Sequence, residues 1–99
     1  MEIKLNKENF LEEVNVEGIV IVDFFATWCG PCQMLGPILE ELSTTYKVCK
    51  INVDENQELA IEHQVMSIPT VFIYKDGKQI NKFIGYKTKE EIEGLLKEE

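Results

Sequence analysis

The chain has 99 residues, 44% of them hydrophobic, which is enough for one compact domain, residues 1–99, and too few for two. Acidic residues number 18 against 10 basic ones, and the net charge of −8 repels polyphosphate backbones and anionic membranes, so neither nucleic acid nor membrane is an expected partner. The opening MEIKLNKENF lacks the regions of a signal peptide and no apolar run approaches about 18 residues, so a cytoplasmic protein is expected.

In chain order, EIKL (Glu2 to Leu5) alternates like a short strand, and Asn6 is placed to cap a helix over KENFLEEV, where Phe10, Leu11 and Val14 share a face. GIVIVDFFA (Gly18 to Ala26) is apolar at nearly every position and rich in β-branched residues, the pattern of a strand covered on both faces. Leu35, Ile38, Leu39, Leu42 and Tyr46 then form a helical stripe, with Pro37 expected to kink it. YKVCKINVD reads as the next strand, parallel to the previous one because a helix joins them. Asp54 and Gln57 make a capping-box pattern for a third helix over QELAIEHQ. TVFIYK and KQINKFIG are strands joined by Asp76-Gly77, a tight-turn dipeptide, and Thr88 with Glu91 caps a last helix that buries Ile92, Leu95 and Leu96. The expected fold is α/β in βαβαββα order, a mixed central sheet with helices on both faces.

The chemistry centres on Cys29 and Cys32, two residues apart at the junction of strand and helix. Three cysteines, an odd number, make no disulfide framework, and in a reducing compartment such a pair is more often catalytic or metal-binding than a staple. A cysteine at a helix start faces unpaired amides and the positive end of the dipole, which favour thiolate over thiol. Gly30 tolerates the tight junction and Pro31 needs no amide partner in the first turn. Cys32 follows about one turn on, at a spacing a disulfide can bridge. Asp23 is a carboxylate inside an apolar strand, where burial should raise its pKa.

The motif WCGPC, the run VDFFATWCGPCQMLGPIL around it, and the later KINVDEN, SIPT and YKDGK resemble the thioredoxin family over most of the chain. The resemblance is closer to the small reductants of that family than to its larger disulfide isomerases or periplasmic oxidants. It implies a thioredoxin-like fold and a protein-disulfide reductase, an electron carrier in which Cys29 is the exposed attacking thiolate and Cys32 the resolving thiol. Asp23 would assist proton transfer at the buried thiol, with Lys50 near it. Pro69 would be cis, and Ser67, Ile68, Pro69 and Thr70 would wall a substrate groove, joined by Trp28 and Gly85. A thioredoxin reductase would donate electrons, protein disulfides would be substrates, and a monomer with no cofactor beyond its own disulfide is implied.

Phe25, Gln33 and Gly36 depart from the commonest family pattern, where tryptophan, lysine and alanine are frequent. Gln33 removes a positive charge near the helix start, and Gly36 could soften the turn before Pro37. Cys49 is expected as a small buried apolar residue and His63 as a surface residue of the third helix, while Glu40-Glu41 and Glu98-Glu99 read as solvated faces. Two other function classes compete with the redox reading. A zinc module on Cys29, Cys32, Cys49 and His63 has one short-spaced pair where structural sites usually have two, so no metal is expected. A binding module with incidental redox chemistry is not excluded by the cysteine pair alone, and a Cys29→Ser variant separates the two.

Overall fold

The run IVIVDFF forms strand β2 (Ile19–Phe25), and five of its seven residues are buried. A strand of this composition belongs in mid-sheet, with side chains packed on both faces. The computed structural model describes residues 1–97, so the Glu98-Glu99 pair lies outside the described residues. Around β2 the elements are β1 (Glu2–Lys4), α1 (Phe10–Val14), α2 (Gly30–Leu42), β3 (Lys47–Asn52), α3 (Gln57–Glu62), β4 (Thr70–Lys75), β5 (Lys78–Ile84) and α4 (Lys89–Leu96). The observed order is βαβαβαββα: all nine elements expected in chain order are present, and the summary order βαβαββα is one βα pair short of them.

The sheet order is β1-β3-β2-β4-β5. β3 runs parallel to both β1 and β2, while β4 is antiparallel to β2 and β5. The reversal between β4 and β5 rests on Asp76 and Gly77, whose φ angles of 54° and 84° put both central residues in the left-handed region of a type I′ turn. Asp76 Oδ1 also accepts the Gly18 amide at 2.8 Å, tying the hairpin to the entrance of β2.

Alternation along the strands divides the core into two layers. Ile21, Val48, Val71 and Ile73 pack with Leu35, Leu39 and Leu42 of α2 and Ile92 and Leu96 of α4. On the other face Val20, Val22, Phe24, Cys49 and Ile51 pack with Phe10, Val14 and Leu59. Asp23 and Lys50 fall on the α2 face by the same alternation and lie side by side in the β2–β3 register.

Some local caps differ from the sequence pattern. Asn6 does not start a helix: its Oδ1 accepts the amides of Glu8 and Asn9 and shapes a turn, and α1 begins at Phe10. α3 has no side-chain cap, and Asp54 is engaged elsewhere. His63 is half-buried at the end of α3, edge-on to Phe10 at 4.8 Å between ring centroids and near Phe24 and Phe72. Tyr46 lies beyond the end of α2, which runs through Pro37 to Leu42. The Thr88–Glu91 capping box is present in both directions.

Because α2 carries the cysteine pair, its anchorage is testable. Leu39 has no exposed surface, so Leu39→Ala should cost about 3 kcal/mol in urea unfolding of the oxidised protein. Leu11 is 76% exposed, and Leu11→Ala should change stability by under about 0.5 kcal/mol.

Candidate active site

Cys29 has extended backbone angles and occupies the N-cap of α2, with Gly30 and Pro31 opening the first turn. Its Sγ accepts the Cys32 amide at 3.2 Å, so a sulfur does the capping that an oxygen of Ser or Asp usually does. Cys29 and Cys32 form a disulfide with a Cα separation of 5.2 Å, within the ordinary range for such bonds. Each residue is only 5% exposed, packed with Ala26 and against Phe25, Val53 and Ile68. The expectation of an exposed Cys29 is therefore corrected for the oxidised form: with the two sulfurs bonded, both cysteines are covered alike.

The loop before β4 closes over the pair. Ile68-Pro69 is cis, and the Ile68 carbonyl oxygen lies 3.7 Å from Cys29 Sγ. Gly85, at a φ of 90° that suits glycine, donates its amide to the Pro69 carbonyl at 2.8 Å, and the Thr70 hydroxyl donates to the Ser67 carbonyl. Thr70 is 2% exposed and supports the loop from inside, whereas Ser67 is exposed. Trp28 is 68% exposed and stands at one end of a cleft of about 220 Å³ whose other walls include Val65, Met66, Ser67 and Ile68. Its indole Nε1 donates to Asp54 Oδ2 at 2.8 Å. Asp54 is thus a site residue that sequence reasoning assigned to a helix cap; nothing local marks a bond across 26 positions.

Beneath the helix start, Asp23 is completely buried and Lys50 Nζ lies 3.1 Å from its Oδ2. Among the described residues both carboxylate oxygens lack a hydrogen bond of good geometry, Lys50 included. Burial raises the Asp23 pKa from its ordinary 3.8 to about 6, against the opposing pull of Lys50. Lys50 also sits 4.6 Å from the centre of the Phe25 ring. A second cleft, of about 250 Å³, is lined by Phe25, Thr27, Cys32, Gln33 and Lys50, so it runs from the buried cysteine to the lysine partner of Asp23.

The departures from the family pattern find places here. Phe25 supports the Lys50 ammonium with its ring face. Gln33 Nε2 donates to the Thr27 carbonyl at 2.9 Å, exchanging a charge for a loop tie. Among the described residues a Cβ at Gly36 would meet nothing within 4 Å, so that position is not glycine for lack of space.

Two residues are not brought to the site. Cys49 has no exposed surface and packs on the α1–α3 face, where burial pushes its pKa up to about 11 and leaves it an inert thiol. His63 belongs to the aromatic cluster on that same face. The four residues of the zinc alternative are thus split between two places, and among the described residues no three His, Cys, Asp or Glu side chains converge as metal ligands.

Comparison with known proteins agrees with this geometry. The family model described as Thioredoxin matches residues 1–98. Thioredoxin from Staphylococcus haemolyticus is 43% identical over 98 residues, covering 95% of this chain and 93% of that protein. Thioredoxin from Staphylococcus aureus is 42% identical with the same coverage. Among solved structures, a point-mutant thioredoxin from Halobacterium salinarum superposes with a TM-score of 0.88 at 36% identity, covering 96% of this chain and 87% of that one. A disulfide at a helix start, in a chain with such relatives, carries out dithiol–disulfide exchange as a protein-disulfide oxidoreductase. The chain belongs to the thioredoxin family.

Proposed function

We propose that the protein runs this exchange in the reducing direction, with Cys29 as nucleophile, Cys32 as resolving thiol and Asp23 as proton acceptor. The observation that carries the reading is the Cys32 amide donated to Cys29 Sγ at 3.2 Å, which favours negative charge on that sulfur once the disulfide is opened. The Cys29 thiolate attacks one sulfur of a target disulfide, forming a mixed disulfide and releasing the other sulfur as a thiolate that takes a proton from water. Cys32 then passes its proton to Asp23, directly or through water, and attacks Cys29 Sγ. The Cys29–Cys32 bond forms, the second target thiolate leaves, and the target has gained two electrons.

The target's extended backbone would lie along Ser67, Ile68, Pro69 and Thr70, with Trp28 and Gly85 at the margins and the cleft beside Met66 receiving an apolar side chain. Lys50 would restrain the Asp23 charge. A thioredoxin reductase would restore the dithiol, so no cofactor or metal beyond the cysteine pair takes part. We assign the chain as a monomeric single domain working in the cytoplasm; among the described residues no helix is long and apolar enough to cross a membrane.

Two tests follow from these roles. A Cys32→Ser variant should accumulate mixed disulfides on Cys29 with target proteins, resolved by mass spectrometry, whereas Cys29→Ser should lose all reductase activity. Absence of adducts, or a Cys29→Ser protein that keeps its partner function, would favour a binding module instead.

The second concerns pH. A carboxyl whose folded pKa of about 6 exceeds its ordinary 3.8 stabilises the fold when protonated, so its contribution is complete below about pH 4 and is lost as pH rises through 6. Oxidised protein should therefore lose about 2 kcal/mol of stability from this group between pH 4 and 7. Asp23→Asn should flatten that dependence in denaturant titrations, raise stability at pH 7, and remove the pH dependence of the resolving step. A wild-type slope retained by the variant would show that Asp23 is not the titrating group.

A further inference from the structure

Strand β1 contributes a charged residue that the reaction as described does not use. Glu2 is half-buried, and its Oε2 is covered without any hydrogen-bond partner among the described residues. It faces the α2 side of the sheet, because its register partner on β3 is Val48, a member of that core layer. Two residues along each strand, Lys4 is paired with Lys50 and Lys50 with Asp23. The three strands therefore carry Glu2, Lys4, Lys50 and Asp23 on one face. A cleft of about 540 Å³ opens beside Glu2, Lys4 and Lys50, lined also by Phe25 and Glu55 among others, with Asp23 buried behind Lys50. It shares Phe25, Thr27 and Lys50 with the smaller cleft that reaches Cys32.

The charges in this space are unevenly matched. Lys4 and Glu55 stand at the mouth, largely exposed, and pair with each other at 3.8 Å. That leaves one ammonium, Lys50, for two carboxylates, Asp23 and Glu2. α2 presents Cys32, here in its disulfide, to this region, and β4 presents the apolar Val71 beside Asp23. Among the described residues of these elements, no other ionisable group faces the pair.

We propose that Glu2 is a positioning residue of the Asp23–Lys50 pair, whose carboxylate draws on the Lys50 ammonium and repels the Asp23 charge, and so governs proton exchange between Asp23 and Cys32. Glu2 touches neither the sulfurs nor the target. It acts through the field it sets at Asp23, in the same sense as burial, by disfavouring the ionised carboxylate. This inference rests on the reading of Asp23 as proton acceptor in the resolving step.

The test is the titration of the Asp23 side-chain carboxyl, followed by carbon-13 NMR in the oxidised full-length protein. Glu2→Gln should lower the Asp23 midpoint by about half a pH unit, and Glu2→Lys by about one, the scale of one and two charges acting across a partly wet cleft. The pH profile of target release in a single turnover should move down by the same amounts. Glu55→Gln, which alters a charge already paired with Lys4, should leave the midpoint in place. An unmoved midpoint in both Glu2 variants, or an equal fall in Glu55→Gln, overturns the role assigned to Glu2. A wild-type protein that reduces no target disulfide would instead overturn the reductase reading, with the titration still readable.

Discussion

The first turn of α2 leaves amide groups without carbonyl partners, and the Sγ of Cys29 takes one of them, the Cys32 N–H, at 3.2 Å. Every other feature of the site is arranged around that contact. Pro31 brings no amide donor to the first turn, and Leu35, Leu39 and Leu42 bind the helix to the sheet. The loop bearing Ile68 and Pro69 places a carbonyl oxygen 3.7 Å from the same sulfur. The disulfide is thus held between a helix that favours charge on one sulfur and a loop whose backbone can be paired.

The sheet supplies a second constraint from below. Parallel pairing sets Asp23 beside Lys50, and the helix above excludes water from the carboxylate, so the acid stays protonated to about pH 6. An aspartate at this place opposes folding near neutral pH and serves the chemistry, since a base with a pKa near the working pH can both take and return a proton. The alternating pattern that builds the core also decides which charges share a cleft, and it places the carboxylate of Glu2 on the side of Lys50.

Legibility in the sequence followed the range of the interactions. The Asp76-Gly77 turn, the Thr88–Glu91 box and the doubly covered β2 were readable because each depends on a few adjacent residues. Cys29, Cys32, Asp23 and the Pro69 loop were readable through the motif and its resemblance, and the structure brings all of them to one end of the sheet and helix α2. Where a distant partner competes for a side chain, local rules failed. Asp54 had a cap pattern but binds Trp28, and His63 is drawn among three phenylalanines from other elements. The exposed Cys29 that the resemblance implies is covered in the oxidised form by Ala26 and Phe25 from the preceding strand end and by Val53 and Ile68 from far along the chain. The charge of Glu2 could not be placed before the register of an edge strand was known.

The central claim is that the helix start makes one sulfur acidic. Its most direct measure is the rate of iodoacetamide alkylation of the reduced protein against pH, with each modified cysteine located by peptide mapping. Cys29 should react first, with a midpoint below the ordinary thiol value of about 8.5, while Cys32 and Cys49 stay slow. A Cys29 that titrates at the ordinary value, or reacts no faster than Cys49 at neutral pH, would contradict the account.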